Sequence, residues 1–152
     1  MKNLIYKISE IIDRKPFHLF AAILILLNLS GIGDPNYLTL LSVAGSILSV
    51  LLSLLLKLLF RRVRPEHNKY RIIKYGFPSG HSHVIFTIAT IYSYYTPHLT
   101  IPFFLLASFV AASRIKIKAH DYKDALVGSI LGIMTGLFAV LFFPQFYSSF
   151  LL

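Results

Sequence analysis

An all-α bundle embedded in a membrane is the fold class this chain predicts, and three features predict it. Hydrophobic residues make up 56% of the 152 residues and charged ones only 14%, where a soluble globule carries roughly 25%. The mean hydropathy is positive. The apolar residues are also gathered into five runs of membrane-spanning character, parted by short polar connections. By length the chain is one domain, residues 1–152. It has no cysteine, which excludes disulfides and thiolate metal sites. The formal charge of +9 does not point to nucleic acid, because the basic residues punctuate apolar spans. Anionic lipid or a phosphate-bearing substrate is the partner that fits this pattern.

The elements follow in order. Residues 1–16 place Leu4, Ile5, Ile8, Ile11 and Ile12 on one helical face, which predicts an amphipathic helix lying in the membrane interface and closed by Pro16. A cleaved signal peptide is disfavoured, because the basic segment is long and carries two acids. The first span, 17–32, is about as short as a crossing helix can be, and Gly31, Gly33, Asp34 and Pro35 make the turn after it. The second span, 37–60, carries Ser42, Ser46, Ser49 and Ser53 on one face, with Lys57 continuing it. Small, weakly polar residues line helix contacts in membranes, so this seam is expected to face the bundle. Spans near 80–95, 99–113 and 124–143 complete the count. The last holds Gly128, Gly132 and Gly136 at four-residue spacing, a flat face for close helix approach.

With five spans, three polar stretches emerge on one side of the membrane. In the last, His120 precedes Asp124 by four residues. Residues so spaced on a helix face the same way, so Asp124 can accept a hydrogen bond from one ring nitrogen of His120 and leave the other outward and unprotonated. A carboxylate fixes a histidine tautomer for nucleophilic or base chemistry in this way; a plain surface pair is the bland alternative. Arg114 adds a permanent forked cation suited to a phosphate oxygen. In the first stretch Lys57, Arg61 and Arg64 fall at i, i+4 and i+7, which predicts one basic helical face ended by Pro65. A lysine at membrane depth is costly and points to function unless it snorkels to lipid phosphates. The middle stretch, Pro78-Ser79-Gly80-His81, reads as a helix start. Proline suits the first turn, glycine admits a ligand to the backbone, and free amides there bind anions. Ser79 adds a hydroxyl, and His81 is placed to protonate a leaving oxygen.

Read together as Lys57-x6-Arg64-Pro65, Pro78-Ser79-Gly80-His81 and Ser113-Arg114-x5-His120-x3-Asp124, these stretches resemble the three-part motif of the type 2 phosphatidic acid phosphatase superfamily, with every fixed position filled. The resemblance implies a membrane lipid phosphatase that works through a phosphohistidine, with no metal and no other cofactor. It implies His120 as nucleophile, Asp124 as its orienting partner and His81 as general acid. Lys57, Arg64, Arg114, Ser79 and the Gly80 amide are implied as the phosphate cradle, with Arg61 and Ser113 as accessory residues. The substrates it implies are undecaprenyl diphosphate, phosphatidylglycerophosphate, phosphatidic acid or the 1-phosphate of lipid A. Relatives often have six spans, whereas here the interfacial helix stands in for the first. The short connections leave no room for a lid, so an open pocket tolerant of bulky head groups is expected. A lipid phosphotransferase using the same phosphohistidine, or a non-catalytic lipid-binding or transport protein of the same fold, are the competing readings. Oligomeric state is not legible in these residues.

All fifteen Lys and Arg residues fall on the side of the three motifs in this topology. The positive-inside rule would place that side in the cytoplasm. The resemblance places it in the periplasm of a bacterial inner membrane, and cations that bind substrate are poor topological reporters. The periplasmic orientation predicts that a cytoplasm-only fluorescent reporter fused after Leu152 lights up. Alkaline phosphatase activity at that point would reverse the assignment.

Overall fold

The structure, a computed structural model, describes residues 35–63 and 75–150. Helices α1 (Pro35–Phe60), α2 (Gly80–Tyr95), α3 (Thr100–Lys116) and α4 (Tyr122–Phe150) carry nearly all of them, with one 3-10 turn at Pro97–Leu99. The expected interfacial helix 1–16, the expected span 17–32, and Arg64 with Pro65 lie outside the described residues. Three described segments are long and apolar enough to cross a membrane: Tyr37–Phe60, Pro97–Lys116 and Tyr122–Pro144. The outward faces of their helices present Leu51, Leu55, Ile101, Leu105, Leu126 and Met134. In water so much exposed apolar surface would drive association; against acyl chains it is at rest.

The remaining helix, α2, organises the bundle. It has 16 residues, about 24 Å at 1.5 Å per residue, which is less than the ~30 Å hydrocarbon thickness. It is nonetheless central, packing against α1, α3 and α4. One side of it meets Leu38 and Leu41 of α1 and Ala139 and Val140 of α4 through Ile88, Ile91 and Tyr92. Another side meets Ala107, Val110 and Ala111 of α3 through Ile85, Phe86 and Ala89.

Lipid tails are as apolar as leucine, so these helices gain little from hydrophobic burial against each other and rely on close packing and polar contacts. Both devices are present. The glycine stripe of α4 lies directly on α2: a Cβ built at Gly128 would come within 2.5 Å of the Ser79 carbonyl oxygen, and one at Gly136 within 2.6 Å of Thr90 Cβ. The expected flat face is thus used inside the chain. The serine seam of α1 also faces the bundle, with Ser42, Ser46, Ser49, Ser53 and Lys57 all buried. Ser49 Oγ lies 2.8 Å from Thr87 Oγ1, and Ser53 Oγ lies 2.8 Å from His83 Nδ1. Interhelical bonds of this kind contribute about 0.6 kcal/mol each on average.

Two helix ends differ from the sequence expectation. α1 stops at Phe60 rather than running on toward Pro65. Arg61 turns to a φ of 49° and its amide donates to the Lys57 carbonyl, a left-handed helix stop made without glycine. At its other end the bundle is longer than expected. α4 begins at Tyr122 and passes through Pro144 to Phe150, since a proline there removes one backbone donor without ending a helix in a membrane.

A side chain on the glycine stripe has nowhere to go. A Cβ at Gly132 would lie 2.6 Å from Phe86 Cβ and closer still to the His83 carbonyl, which cannot rotate away. Gly132→Val is therefore expected to cost about 1–3 kcal/mol or more by overpacking, read as a lowered thermal midpoint in detergent. Leu137→Val on the outward face should leave that midpoint nearly unchanged.

Candidate active site

The four helix ends that meet are the C-terminal ends of α1 and α3 and the N-terminal ends of α2 and α4. The sequence builds each from local chemistry. After α3, the Arg114 carbonyl accepts from the amides of both Ala119 (3.1 Å) and His120 (3.2 Å), and Lys118 adopts a φ of 54° to make the turn. This clamp delivers His120 to the foot of α4. There Asp121 caps the helix: the Asp124 amide donates to Asp121 Oδ1 at 2.8 Å, and the Asp121 amide donates to Asp124 Oδ2 at 3.3 Å. The pair forms a reciprocal capping box.

His120 and Asp124 are joined as expected, but for a different reason. His120 lies in the loop before α4 rather than on the helix, so helical spacing does not aim it. The backbone clamp and the capping box do. His120 Nδ1 sits 3.4 Å from Asp124 Oδ2, with both side chains almost wholly buried. The bond is long, as such bonds often are before a substrate tightens them, and it leaves Nε2 as the ring's other face. Burial holds the His120 imidazole below its ordinary value; Asp124 opposes that shift, while Lys57 and Arg114 reinforce it. The balance favours the uncharged ring.

The start of α2 is equally defined. Ser79 is the N-cap of α2, its hydroxyl accepting from the amide of Ser82 at 3.4 Å and from Ser82 Oγ at 3.0 Å. That leaves the Ser79 proton for an acceptor in front of the helix. The Ser79 amide donates to the Asp124 carbonyl at 2.9 Å, which ties the second motif directly to the third. A Cβ at Gly80 would meet Lys57 Nζ at 3.4 Å, so the buried ammonium lies over the first turn of α2. A helix N-terminus carries partial positive charge, and an ammonium beside it favours an anion between them. Arg114 is fully buried and acts electrostatically on His120 with Lys57. His81, the second residue of α2, is partly buried.

Not every expected residue joins this group. Arg61 was expected to share a helical face with Lys57, but its left-handed turn breaks the periodicity. Its guanidinium donates back to the Leu58 carbonyl at 3.2 Å on the exposed side. Ser113 is buried, and its hydroxyl donates to the Val110 carbonyl one turn earlier. Arg64 lies outside the described residues. Two residues that the sequence reading passed over belong instead. Arg62 pairs with Asp121, and its Nη1 reaches Asp124 Oδ1 at 3.3 Å. The Gly76 amide donates to the Arg62 carbonyl at 2.7 Å and Val63 bridges Tyr75, which fixes the Arg62 backbone. No periodicity marks Arg62. Asp121 was legible as an Asp-x-x-Asp capping pattern ahead of an apolar run.

The profile of the PAP2 superfamily matches residues 38–148, which include all four helix ends of the site. The chain belongs to the PAP2 superfamily. A PA-phosphatase related-family protein of Dictyostelium discoideum is 30% identical over 128 residues, which cover 68% of this chain and 46% of that one. The chain thus spans about half the length of this curated relative. The crystal structure of a transmembrane PAP2 type phosphatidylglycerolphosphate phosphatase from Bacillus subtilis matches with a TM-score of 0.67. It covers 92% of this chain and 77% of that one at 23% identity, a likeness of fold. The PAP2 match is that of an integral membrane helical bundle, and the three long apolar segments accord with it.

The two carboxylates of the capping box have separable duties. Asp124→Asn keeps the helix start in place but loses the charge facing His120. It should lower turnover by two orders of magnitude or more with little change in melting temperature. Asp121→Ala should instead cost about 1 kcal/mol of stability through the lost cap. Equal effects of the two variants on turnover would show that Asp124 acts only as a cap.

Proposed function

We propose that this PAP2 chain is a metal-independent phosphatase acting on a phosphomonoester or pyrophosphate at a membrane lipid head group, through a phosphohistidine at His120. The observation that carries the reading is the buried His120, held through Nδ1 by Asp124 beside the cations Lys57 and Arg114. Phosphoryl transfer asks mainly for such positioning and for positive groups aimed at the equatorial oxygens.

In the first step His120 Nε2 attacks phosphorus. The bond from phosphorus to the lipid oxygen breaks, and that oxygen takes a proton from His81. Nδ1–H keeps its bond to Asp124, which stabilises the positive charge gathering on the ring. Lys57, Arg64, Arg114, the Ser79 hydroxyl and the Gly80 amide hold the phosphoryl oxygens. In the second step His81, now a base, takes a proton from water. The water oxygen bonds to phosphorus, the P–N bond breaks, and inorganic phosphate leaves with His120 neutral again. The membrane-embedded bundle brings the site to lipid substrates. Undecaprenyl diphosphate, phosphatidylglycerophosphate, phosphatidic acid and the 1-phosphate of lipid A are the substrates proposed, at the periplasmic face of a bacterial inner membrane.

The test is phosphate release from these four lipids by wild type and His120→Ala, purified in detergent. Release by wild type alone supports the reading, and equal release by both would remove His120 as nucleophile. Label passing to an acceptor lipid instead of water would make the protein a phosphotransferase. The pH profile supplies a second check. His120 must be neutral to attack and its pKa is lowered, so the rate should climb with pH below the ordinary histidine value of about 6.5. It should fall again where His81 loses its proton. A flat profile from pH 5 to about 9 would contradict both roles.

A further inference from the structure

His83 lies two residues beyond His81, and the reaction above makes no use of it. It is fully buried, yet both ring nitrogens are engaged. Nδ1 lies 2.8 Å from Ser53 Oγ on α1, and Nε2 lies 2.9 Å from Thr135 Oγ1 on α4. Serine and threonine hydroxyls can each donate or accept, so a neutral imidazole of either tautomer satisfies both bonds. One side chain thus joins three helices.

Its position along α1 gives this a consequence. Residues of α1 and α2 face each other turn by turn: Gly45 meets Thr87 and Ile91, Ser49 meets Thr87, Ser53 meets His83, and Lys57 meets Gly80. The α1 side of this seam is made of small residues below Lys57, which supply little interlocking volume against sliding. Ser53–His83 is the rung next to Lys57, and Ser53 Oγ itself lies 3.9 Å from the Cβ position of Gly80. A slip of α1 by one residue would carry the ammonium about 1.5 Å along the axis, away from the first turn of α2.

We propose that His83 is a positioning residue: through Ser53 it sets the register of α1 on α2, and so the place of the Lys57 ammonium over the phosphate-binding end of α2. Thr135 engages the far side of the ring, toward α4, and takes no part in setting that register. The proposal rests on the reading of that end as a phosphate site. It assigns to a histidine outside the three motifs a share in substrate binding without contact with the substrate.

The experiment compares Ser53→Ala, His83→Asn and Thr135→Val, each alone and in a Lys57→Gln background. Orthovanadate affinity is measured by calorimetry, and KM and kcat on whichever of the four lipids wild type hydrolyses fastest. Ser53→Ala is expected to weaken orthovanadate binding and raise KM by roughly 10- to 100-fold, as small misplacements of binding groups do. Thr135→Val, which leaves the Ser53–His83 bond in place, should do much less. In the Lys57→Gln background Ser53→Ala should add nothing, because its effect passes through Lys57. Equal losses from Ser53→Ala and Thr135→Val would overturn the proposal, as would losses that multiply in the Lys57→Gln background. So would a lowered melting temperature with unchanged affinity. If His83→Asn fails to fold, Ser53→Ala, which removes one hydroxyl, decides alone. A wild-type protein that neither binds orthovanadate nor releases phosphate overturns the phosphatase reading and this proposal together. An active wild type with multiplying losses overturns only the proposal.

Discussion

Asp124 is bonded on every side. Its Oδ2 faces His120 Nδ1 and the Asp121 amide, its Oδ1 faces Arg62, and its carbonyl accepts from the Ser79 amide. The start of α4, the loop carrying His120, the exit of α1 and the entrance of α2 therefore all end on one residue. A buried carboxylate is tolerable only when its charge is matched and its lone pairs are filled. Here each partner that makes the burial tolerable also fixes a part of the site. The helix cap orients the carboxylate, the carboxylate orients the imidazole, and its backbone carbonyl holds the first turn of α2 at the matching height.

The membrane imposes a second constraint, which explains the small and weakly polar residues where the helices come closest. Helices in lipid gain little by hiding leucine from leucine, so geometry must come from close approach and hydrogen bonds. The glycine stripe of α4 supplies the approach, letting α2 lie so near that backbone atoms fill the space of a side chain. Serine, threonine and histidine supply the bonds that tie α2 to α1 on one side and to α4 on the other. The result is a central helix shorter than the membrane is thick, shielded by its neighbours. Its N-terminus lies beside Lys57, in a setting where burying a cation is costly.

Much of this was open to reading in one dimension. The seam of Ser42, Ser46, Ser49 and Ser53 and the stripe of Gly128, Gly132 and Gly136 follow from helical periodicity, which is a local property. The pairing of His120 with Asp124 was expected from the same spacing, but His120 precedes the helix and the backbone clamp produces the pairing instead. Periodicity failed where the backbone leaves the helix. Arg61 and Lys118 take up left-handed conformations without being glycine, and no residue-type signal announces such a turn. The face of α1 does not reach Arg61 because the helix has already ended at Phe60, and Arg62 lies off the periodicity of that face.

What the sequence by itself determined was the class of fold, the helices that line it and the chemical groups brought to one side of the membrane, because apolar run length and side-chain spacing obey rules internal to each helix. The tertiary structure alone decided how those groups meet. The Arg114 carbonyl aims His120, Arg62 reaches Asp124 from the end of α1, and His83 bridges Ser53 and Thr135. Each of these joins residues on different elements, through hydrogen bonds whose directions exist only once the helices have packed.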